Sequence, residues 1–182
     1  YKKNLKIEPR LIGICRSKKM LLNKKGIQIE KWKDNFINQS KPGSIREFTK
    51  EMLKLNLPNS MFIDCTANEE VVNEYEKITK ASISIITPNK LVNVQPMKQY
   101  RHLREITCDR NIHMMYETNV GAGLPVISTL KDLLISGDQI YRIEGIFSGT
   151  LSFIFNEFMS TAKSFYDILK EAMEKGYTEP DP

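Results

Sequence analysis

The chain has 182 residues, of which 41% are hydrophobic and 27% are charged, and its formal net charge is +5. This composition is typical of a soluble globular protein and excludes a disordered one, and no apolar run reaches the ~18 residues that a membrane span needs. The three cysteines are widely spaced, which fits a reducing compartment and predicts neither disulfides nor zinc.

Strand and helix patterns alternate through the first two thirds of the chain. Short apolar runs predict strands, and apolar residues at helical spacing predict helices. In chain order these are a strand at Leu11–Cys15, a helix over 44–55, a strand at Met61–Cys65, a helix over 69–80, a strand at Ile83–Thr87, a helix over 95–107 and a strand at Ile112–Tyr116. The β–α–β order predicts an α/β fold with a parallel, doubly wound, Rossmann-like sheet. Ser44, with Glu47 three residues later, has the pattern of a capping box.

The pattern becomes richer in helices after Tyr116. The elements predicted here are a helix opened by Pro125 and closed by Gly137, an alternating strand at Ile140–Phe147, and helices over 150–159 and 164–175. We therefore predict a nucleotide-binding domain over 1–116. The start of an α+β substrate or dimerisation domain is predicted over 117–182.

A dinucleotide fold opens with a strand and a Gly-x-Gly-x-x-Gly turn about 20 residues before the ribose-binding position. No such turn is present in the sequence. We expect the first strand and its phosphate loop to lie upstream of Tyr1; the alternative is that this sheet never held a dinucleotide. We also expect the second domain to continue beyond Pro182.

Candidate cofactor residues follow three of the predicted strands, where ligands bind in doubly wound sheets. Thr66 lies in a small polar turn ahead of a helix and Lys90 in the next such loop, while Arg16 and Lys18 follow the strand at Leu11–Cys15. Cations at that position accommodate the 2′-phosphate of NADP. Each residue also has a structural interpretation, as a helix N-cap for Thr66 and as solvated charge for the others.

The loop Glu117–Pro125 is rich in glycine. Glycines at 121 and 123 allow a tight backbone, so that the carbonyls of Val120, Ala122 and Leu124 can converge with the Glu117 carboxylate. Such hard oxygen ligands suit a hard cation, and a single carboxylate suits a monovalent ion. The residues alone favour the alternative, a tight connection that holds no ion.

Two further turns carry glycine. One is the strand-to-helix turn that contains Gly149, and the other begins at Gly176 and contains Glu179. Glu179 follows a capped helix, so it is predicted to be an exposed acid that can pair with a substrate ammonium group.

Together these motifs resemble those of homoserine dehydrogenase, in the same order and approximate spacing. The matching strings are Asp64–Thr66, Thr87–Lys90, Glu117–Pro125, Gly145–Ser152 and Gly176–Pro182. The segment from Arg16 to Asn23, with Gly26, resembles the bifunctional aspartokinase–homoserine dehydrogenases, particularly the plant-like form. The resemblance implies reduction of L-aspartate 4-semialdehyde to L-homoserine with NADP, or with NAD, on the route to threonine, methionine and isoleucine.

The resemblance also implies roles for individual residues. Thr66, Lys90 and Gly176 would contact the cofactor, and Tyr177 and Gly149 would line the substrate pocket. Glu179 would bind the substrate directly. A sodium ion would be held by Glu117 and by the carbonyls of Val120, Ala122 and Leu124. In the family a lysine after the last motif is the proposed general acid, so no residue here is assigned the proton transfer and the 182 residues alone are expected to be inactive.

The remaining expectations concern partners and location. The complete protein is expected to be a homodimer that binds a small molecule, in the plastid if it is plant-like and otherwise in the cytoplasm. One alternative is a truncated, inactive remnant that serves in dimerisation or regulation. Another is a nucleic-acid-binding protein, suggested by basic residues between Lys18 and Lys33, but no aromatic residues or known motif accompany this charge. We expect neither a nucleic-acid nor a membrane partner.

Overall fold

The computed structural model describes residues 7–179. They form two compact units that are interleaved along the chain. The first unit contains the described residues up to Phe62, with Glu69–Ile85 and Met97–His113; the second contains Ile63–Asn68, Ile86–Pro96 and the described residues from Met114 onward. The predicted domains are consecutive segments, and the boundary predicted after Tyr116 stays a prediction.

A three-stranded antiparallel sheet opens the first unit. Its strands lie side by side in the order β1 (Leu11–Arg16), β2 (Lys19–Ile27) and β3 (Lys41–Pro42). Arg16 pairs with Lys19, so the chain reverses direction at Ser17, whose φ is 37°. The strand predicted at Leu11–Cys15 is present, but its expected place in a parallel sheet was wrong.

The sequence hid this hairpin for two reasons. Polar residues at positions 23–25 interrupt the apolar residues of β2, so no strand was predicted there. The two-residue turn Ser17–Lys18 also lacks the Asn-Gly or Asp-Gly pair that usually marks a tight hairpin. β1 is half-buried rather than fully buried, as expected for one strand of a small hairpin.

Two helices follow β2 in the first unit, α1 (Trp32–Gln39) and α2 (Ile45–Lys54). The start of α2 is the predicted capping box: the Glu47 N–H donates to Ser44 Oγ at 3.3 Å, and the Ser44 N–H donates to Glu47 Oε2 at 2.8 Å. This prediction is confirmed. The core beside this sheet is a cluster of Leu21, Ile27 and Phe36, with Leu11 and Ile14 packed against it.

The second sheet is the parallel one that the sequence predicted. Its strands, in spatial order, are β4 (Met61–Ile63), β5 (Ser84–Ile86) and β6 (Met114–Met115). The Ile85 N–H donates to the His113 carbonyl and the Thr87 N–H donates to the Met115 carbonyl, both at 2.8 Å. Both partners advance together along the chain, which is the pattern of parallel strands. The predicted α/β fold class is therefore confirmed.

Three helices connect the strands of this sheet: α3 (Glu69–Val72), α4 (Tyr75–Lys80) and α5 (Met97–Asp109). The helix predicted over 69–80 is thus divided in two, while the one predicted over 95–107 is present as α5. Tyr75 and Ile78 of α4 are at most 1% exposed. Their burial explains the apolar spacing that made the divided helix look continuous.

The second unit carries the remaining helices, α6 (Val126–Ile135), α7 (Gly149–Ser160) and α8 (Phe165–Glu174). All three were predicted with closely similar bounds. The Asp167 N–H donates to Ser164 Oγ at 3.1 Å, so Ser164 caps α8 as expected. The core between α7 and α8 consists of Ile154, Ile168 and Ala172, with Phe153 and Leu169 packed against it.

The strand predicted at Ile140–Phe147 was wrong, because the chain there is irregular and residues 141–147 are exposed. Alternating residues form a strand only beside a neighbour that accepts their hydrogen bonds, and within residues 7–179 no strand lies alongside this segment. No helix in the described part of the chain is long and apolar enough to cross a membrane.

Candidate functional site

A cleft of ≈ 480 Å³ in the second unit gathers several of the predicted site residues. Thr66, Lys90 and Glu179 all contribute to its wall, although they come from three distant parts of the chain. The full lining is Cys65, Thr66, Ala67, Pro88, Asn89, Lys90, Thr118, Ala122 and Glu179. Polar and charged side chains therefore meet at the carboxyl ends of β4 and β5, where the fold places ligands.

Asp64, the first residue after β4, holds residues on the wall of this cleft through hydrogen bonds. Its side chain is buried, with only 2% of the residue exposed. Oδ1 accepts a hydrogen bond from the Thr66 N–H at 2.8 Å, and Oδ2 accepts one from the Asn89 side-chain amide at 3.0 Å. A buried carboxylate is costly unless it is hydrogen-bonded, and these bonds fix the turn that carries Thr66.

Asn89 occupies the centre of the polar network and is also 2% exposed. Besides its bond to Asp64, its Nδ2 donates to the Asn68 carbonyl at 3.2 Å, and its Oδ1 accepts from the Leu91 N–H at 3.1 Å. The Asn119 side chain donates to the Asn89 carbonyl at 3.4 Å. Three separate turns are thus joined through one asparagine.

Lys90 follows directly and forms an ion pair with Glu179. Both side chains are 54% exposed, so the pair faces solvent and is screened. The backbone of Lys90 begins a short 3₁₀ turn, Lys90–Asn93, which Asn89 caps. The cation therefore projects from a fixed backbone while its side chain keeps its freedom.

Glu117 has a structural task that sequence reasoning did not foresee. Its Oε1 accepts the Ile127 N–H at 2.8 Å and its Oε2 accepts the Ser128 N–H at 2.9 Å. The carboxylate thus caps the N-terminus of α6 from ten residues upstream, where backbone N–H groups are unpaired and the helix dipole favours negative charge.

The Glu117–Pro125 loop turns tightly before this helix. Gly121 has φ 73° and Ala122 has φ 51°, both in the left-handed region. A Cβ on Gly121 would lie 2.9 Å from Val126 Cγ2, so both the conformation and the space favour glycine. Ala122 adopts the same region without that freedom, which places local strain in the loop.

The turn after α8 is tied to the start of α7. The Thr150 hydroxyl donates to the Tyr177 carbonyl, and the Tyr177 ring meets Phe153 edge to face with centroids 5.1 Å apart. Gly176 has φ 69° and ends α8. Gly149 lines a second cleft of ≈ 540 Å³, which shares Ala122 with the first.

Comparison with known proteins assigns the chain to a family. Residues 2–135 match the family model described as the NAD-binding domain of homoserine dehydrogenase, and residues 125–182 match the homoserine dehydrogenase model. The chain belongs to the homoserine dehydrogenase family. The predicted resemblance is confirmed, and the first of these matches assigns residues 2–135 to a domain that binds a nicotinamide cofactor.

Several relatives with homoserine dehydrogenase in their names match most or all of this chain. The chloroplastic bifunctional aspartokinase/homoserine dehydrogenase 2 of Zea mays is 47% identical over 182 residues, which are 100% of this chain and 20% of the relative. The homoserine dehydrogenase of Schizosaccharomyces pombe is 40% identical over 160 residues, 86% of this chain and 42% of its own. The chain thus spans about a fifth of the bifunctional relatives.

Solved structures share the fold. A Candida auris protein of unknown function has a TM-score of 0.76 and 31% identity, over 95% of this chain and 49% of that one. A hyperthermophilic archaeal homoserine dehydrogenase in complex with NADPH has a TM-score of 0.70 and 24% identity, over 94% and 53% of the two chains. The second likeness concerns the fold alone.

The loop that the resemblance assigns to sodium contains oxygen atoms with unused lone pairs. Among the described residues, no backbone N–H donates to the carbonyl of Val120 or Ala122, whereas the Leu124 carbonyl accepts from the Val126 N–H at 2.9 Å. The Glu117 oxygens keep lone pairs beyond those used by the helix. Within residues 7–179 no group of three or more His, Cys, Asp or Glu side chains could hold a metal ion.

Other predicted site residues lie elsewhere. Arg16 and Lys18 belong to the first unit, where they are exposed at the tip of the β1–β2 hairpin. Gly176 and Tyr177 line neither of the two clefts, though their turn leads to Glu179, which does. The last residues of the Gly176–Pro182 string, from Pro180, lie outside the described residues.

Sequence reasoning missed the roles of Asp64 and Asn89. Both stand inside strings that drew attention, yet neither was assigned a task. A usable signal was present: each is a polar residue that comes just after an apolar strand, at the edge of the sheet where side chains converge.

Proposed function

We propose that this chain forms the cofactor-binding part and the first substrate contacts of a homoserine dehydrogenase. The enzyme would reduce L-aspartate 4-semialdehyde to L-homoserine with NADPH or NADH, on the route to threonine, methionine and isoleucine. The observation that carries the proposal is the meeting of Thr66, Lys90 and Glu179 around one cleft. The match of residues 2–135 to the NAD-binding domain model supports a nicotinamide cofactor.

The cofactor residues would be Thr66, Lys90 and Gly176, with Arg16 and Lys18 as candidates for the 2′-phosphate of NADP. The nicotinamide cofactor supplies the hydride when it is bound. The N–H of Thr66 is already held by Asp64, so this turn presents the Thr66 hydroxyl from a fixed backbone. Lys90 places a positive charge where the aldehyde oxygen gains negative charge during reduction, and such a preplaced charge stabilises the transition state.

The substrate would be recognised through its ammonium group by Glu179, with Gly149 in the neighbouring cleft and Tyr177 in the turn that leads to Glu179 as further candidate contacts. Glu179 pairs with Lys90. A substrate ammonium would compete for the same carboxylate, and this exchange would free Lys90 to face the reacting carbonyl. Glu179 would therefore contribute mainly to substrate affinity and Lys90 mainly to rate.

A sodium ion would be held by Glu117 with the carbonyls of Val120, Ala122 and Leu124. Its role would be structural, because it would stiffen the loop whose residue Ala122 lines the cleft. A homodimer is proposed by analogy with the family. A plastid location is proposed for a plant source, since the maize relative is chloroplastic, and the cytoplasm otherwise.

A segment exchange tests this function. The segment of the Schizosaccharomyces pombe homoserine dehydrogenase that corresponds to this chain would be replaced by it, and NADPH-dependent reduction of L-aspartate 4-semialdehyde would be measured. We expect turnover by the chimera. A chimera that folds and binds NADPH but never turns over would contradict the proposal and favour the inactive remnant. Thermal melting of the chimera, with and without NADPH, separates this outcome from misfolding.

A further inference from the structure

A buried pair of polar residues lies beneath the cleft. Asp64 and Asn89 are each 2% exposed, and their side chains meet at 3.0 Å although they are 25 positions apart. Keeping a carboxylate and an amide out of water costs free energy that an apolar pair would not incur. The hydrogen bonds that this pair makes must therefore offset that cost within the structure.

The bonds extend from the pair to the backbone on both sides of the cleft. Asp64 Oδ1 accepts the Thr66 N–H, and Asn89 Oδ1 accepts the Leu91 N–H. Asn89 Nδ2 donates to the Asn68 carbonyl as well as to Asp64. The side chains thus act on the Thr66 turn and on the residues that flank Lys90.

We propose that Asn89, held by Asp64, is a positioning residue that fixes the Thr66 turn and the backbone of Lys90 relative to each other. The kinetic consequence of this inference rests on the proposed function. The clamp, meaning the hydrogen bonds that Asp64 and Asn89 make to each other and to the backbone, is defined by the geometry alone. Lys90 lies between two bonded residues, because the Asn89 N–H donates to Thr87 Oγ1 at 2.9 Å and the Leu91 N–H donates to Asn89. Its ammonium group can move, whereas the origin of its side chain cannot.

Asparagine suits this position better than aspartate or leucine. Its amide supplies donors to Asp64 and Asn68 and an acceptor to Leu91 at once. Aspartate at 89 would face the Asp64 carboxylate with a second negative charge, and leucine would supply neither donor nor acceptor. The exchange of both residues, Asp64→Asn with Asn89→Asp, keeps one amide and one carboxylate in contact, and of the bonds described above it loses the one to the Asn68 carbonyl.

Four variants of the full chain test the clamp: Asn89→Leu, Asn89→Asp, Asp64→Asn, and the exchanged pair. Amide hydrogen exchange at Thr66 and Leu91 is the first measurement, since it needs no catalysis. We expect faster exchange at both amides in each single variant and partial recovery in the exchanged pair. The Thr66 amide is informative in Asn89→Leu, because that substitution acts on it only through Asp64.

The second measurement is the kinetics of aspartate-semialdehyde reduction by the chimera described above, with each variant introduced into it. Misplacement of a catalytic group by about 1 Å costs roughly 100-fold in rate, so Asn89→Leu should lower kcat by about that factor and change KM much less. The exchanged pair should recover part of kcat. Thr49→Val is the control for burial, since Thr49 is 1% exposed, belongs to the first unit and has a hydroxyl without a hydrogen-bond partner.

The outcomes separate the two proposals. A chimera with the unsubstituted chain that folds and binds NADPH without turnover contradicts the proposed function, while the hydrogen-exchange data still judge the clamp. Unchanged Thr66 exchange in Asn89→Leu overturns the clamp whatever the activity. A wild-type kcat in Asn89→Leu, or an exchanged pair no better than either single variant, overturns the positioning role in an active enzyme.

Discussion

Lys90 and Glu179, 89 positions apart in the chain, form an ion pair at the wall of one cleft. Since both side chains are about half exposed, solvent and salt screen their attraction, and the pair adds little to stability. Its interest lies in its partners: the acid proposed to bind a substrate ammonium group is paired with the ammonium group of Lys90. Substrate binding would therefore be an exchange of cations at Glu179.

This exchange predicts how Glu179→Gln behaves. Loss of the carboxylate should raise KM for aspartate semialdehyde with a smaller effect on kcat, because the amide still accepts a hydrogen bond but carries no charge. The free energy of unfolding should change by no more than about 1 kcal/mol. Steady-state kinetics of the chimera measure KM and kcat, and urea unfolding measures the free energy of unfolding. Glu174→Gln, an exposed acid at the end of α8, is the matched control and should leave KM unaltered.

The cap on α6 predicts a stability effect at Glu117. Glu117→Ala removes the acceptor of two backbone N–H groups and should lower the free energy of unfolding by about 0.5–2 kcal/mol, as for other N-terminal caps. Glu117→Gln keeps one acceptor oxygen and should lose less. Urea unfolding measures the change, with Asp132→Asn, exposed in the middle of α6, as control. Equal stability of wild type and Glu117→Ala would show that the cap contributes nothing in solution.

The proposed cation site makes a separate prediction for the same loop. If sodium binds there, sodium chloride should raise the melting temperature more than choline chloride at equal ionic strength, because a ligand of the native state stabilises it. Glu117→Ala should remove that difference. A sodium-specific rise that survives in Glu117→Ala would place the ion elsewhere, and no rise in wild type would argue against a sodium site.

Acid titration should reveal the carboxylate of Glu171. Hydrogen bonds from Lys163 and Lys175 lower the pKa of Glu171 from its ordinary value of 4.5 to about 2. A lowered native pKa contributes stability that is fully present above the unfolded pKa and is lost as pH falls through the native one. The stability difference between wild type and Glu171→Gln should therefore shrink between about pH 4.5 and pH 2. Urea unfolding across that window measures it, and a constant difference would refute the prediction.

Local signals predicted most of the secondary structure. The capping box at Ser44 and Glu47 involves only four consecutive residues. The strands β4 and β5 are recognisable in the sequence as short apolar runs. The predictions that were wrong concern strand pairing, which depends on residues distant in the sequence. The strand at Leu11–Cys15 is present, but its pairing depends on β2, and the alternation at Ile140–Phe147 found no neighbouring strand among the described residues.

The site divides in the same way. Thr66, Lys90 and Glu179 could be singled out because each lies in a string that resembles the family. The bond between Asp64 and Asn89 joins residues 25 positions apart, and no local pattern signals such a contact. Sequence reasoning therefore singled out Thr66, Lys90 and Glu179 and missed the roles of Asp64 and Asn89.

Comparison of two lysine variants tests the central claim most directly. Lys90→Met removes the lysine charge from the cleft. Lys98→Met removes the same charge from an exposed position on α5, outside the cleft. In the Schizosaccharomyces pombe chimera with NADPH and L-aspartate 4-semialdehyde, we expect kcat/KM to fall at least about 100-fold in Lys90→Met, the loss typical for a preplaced group that stabilises developing charge. Lys98→Met should match wild type. Wild-type kcat/KM in Lys90→Met, or equal losses in both variants, would contradict the account.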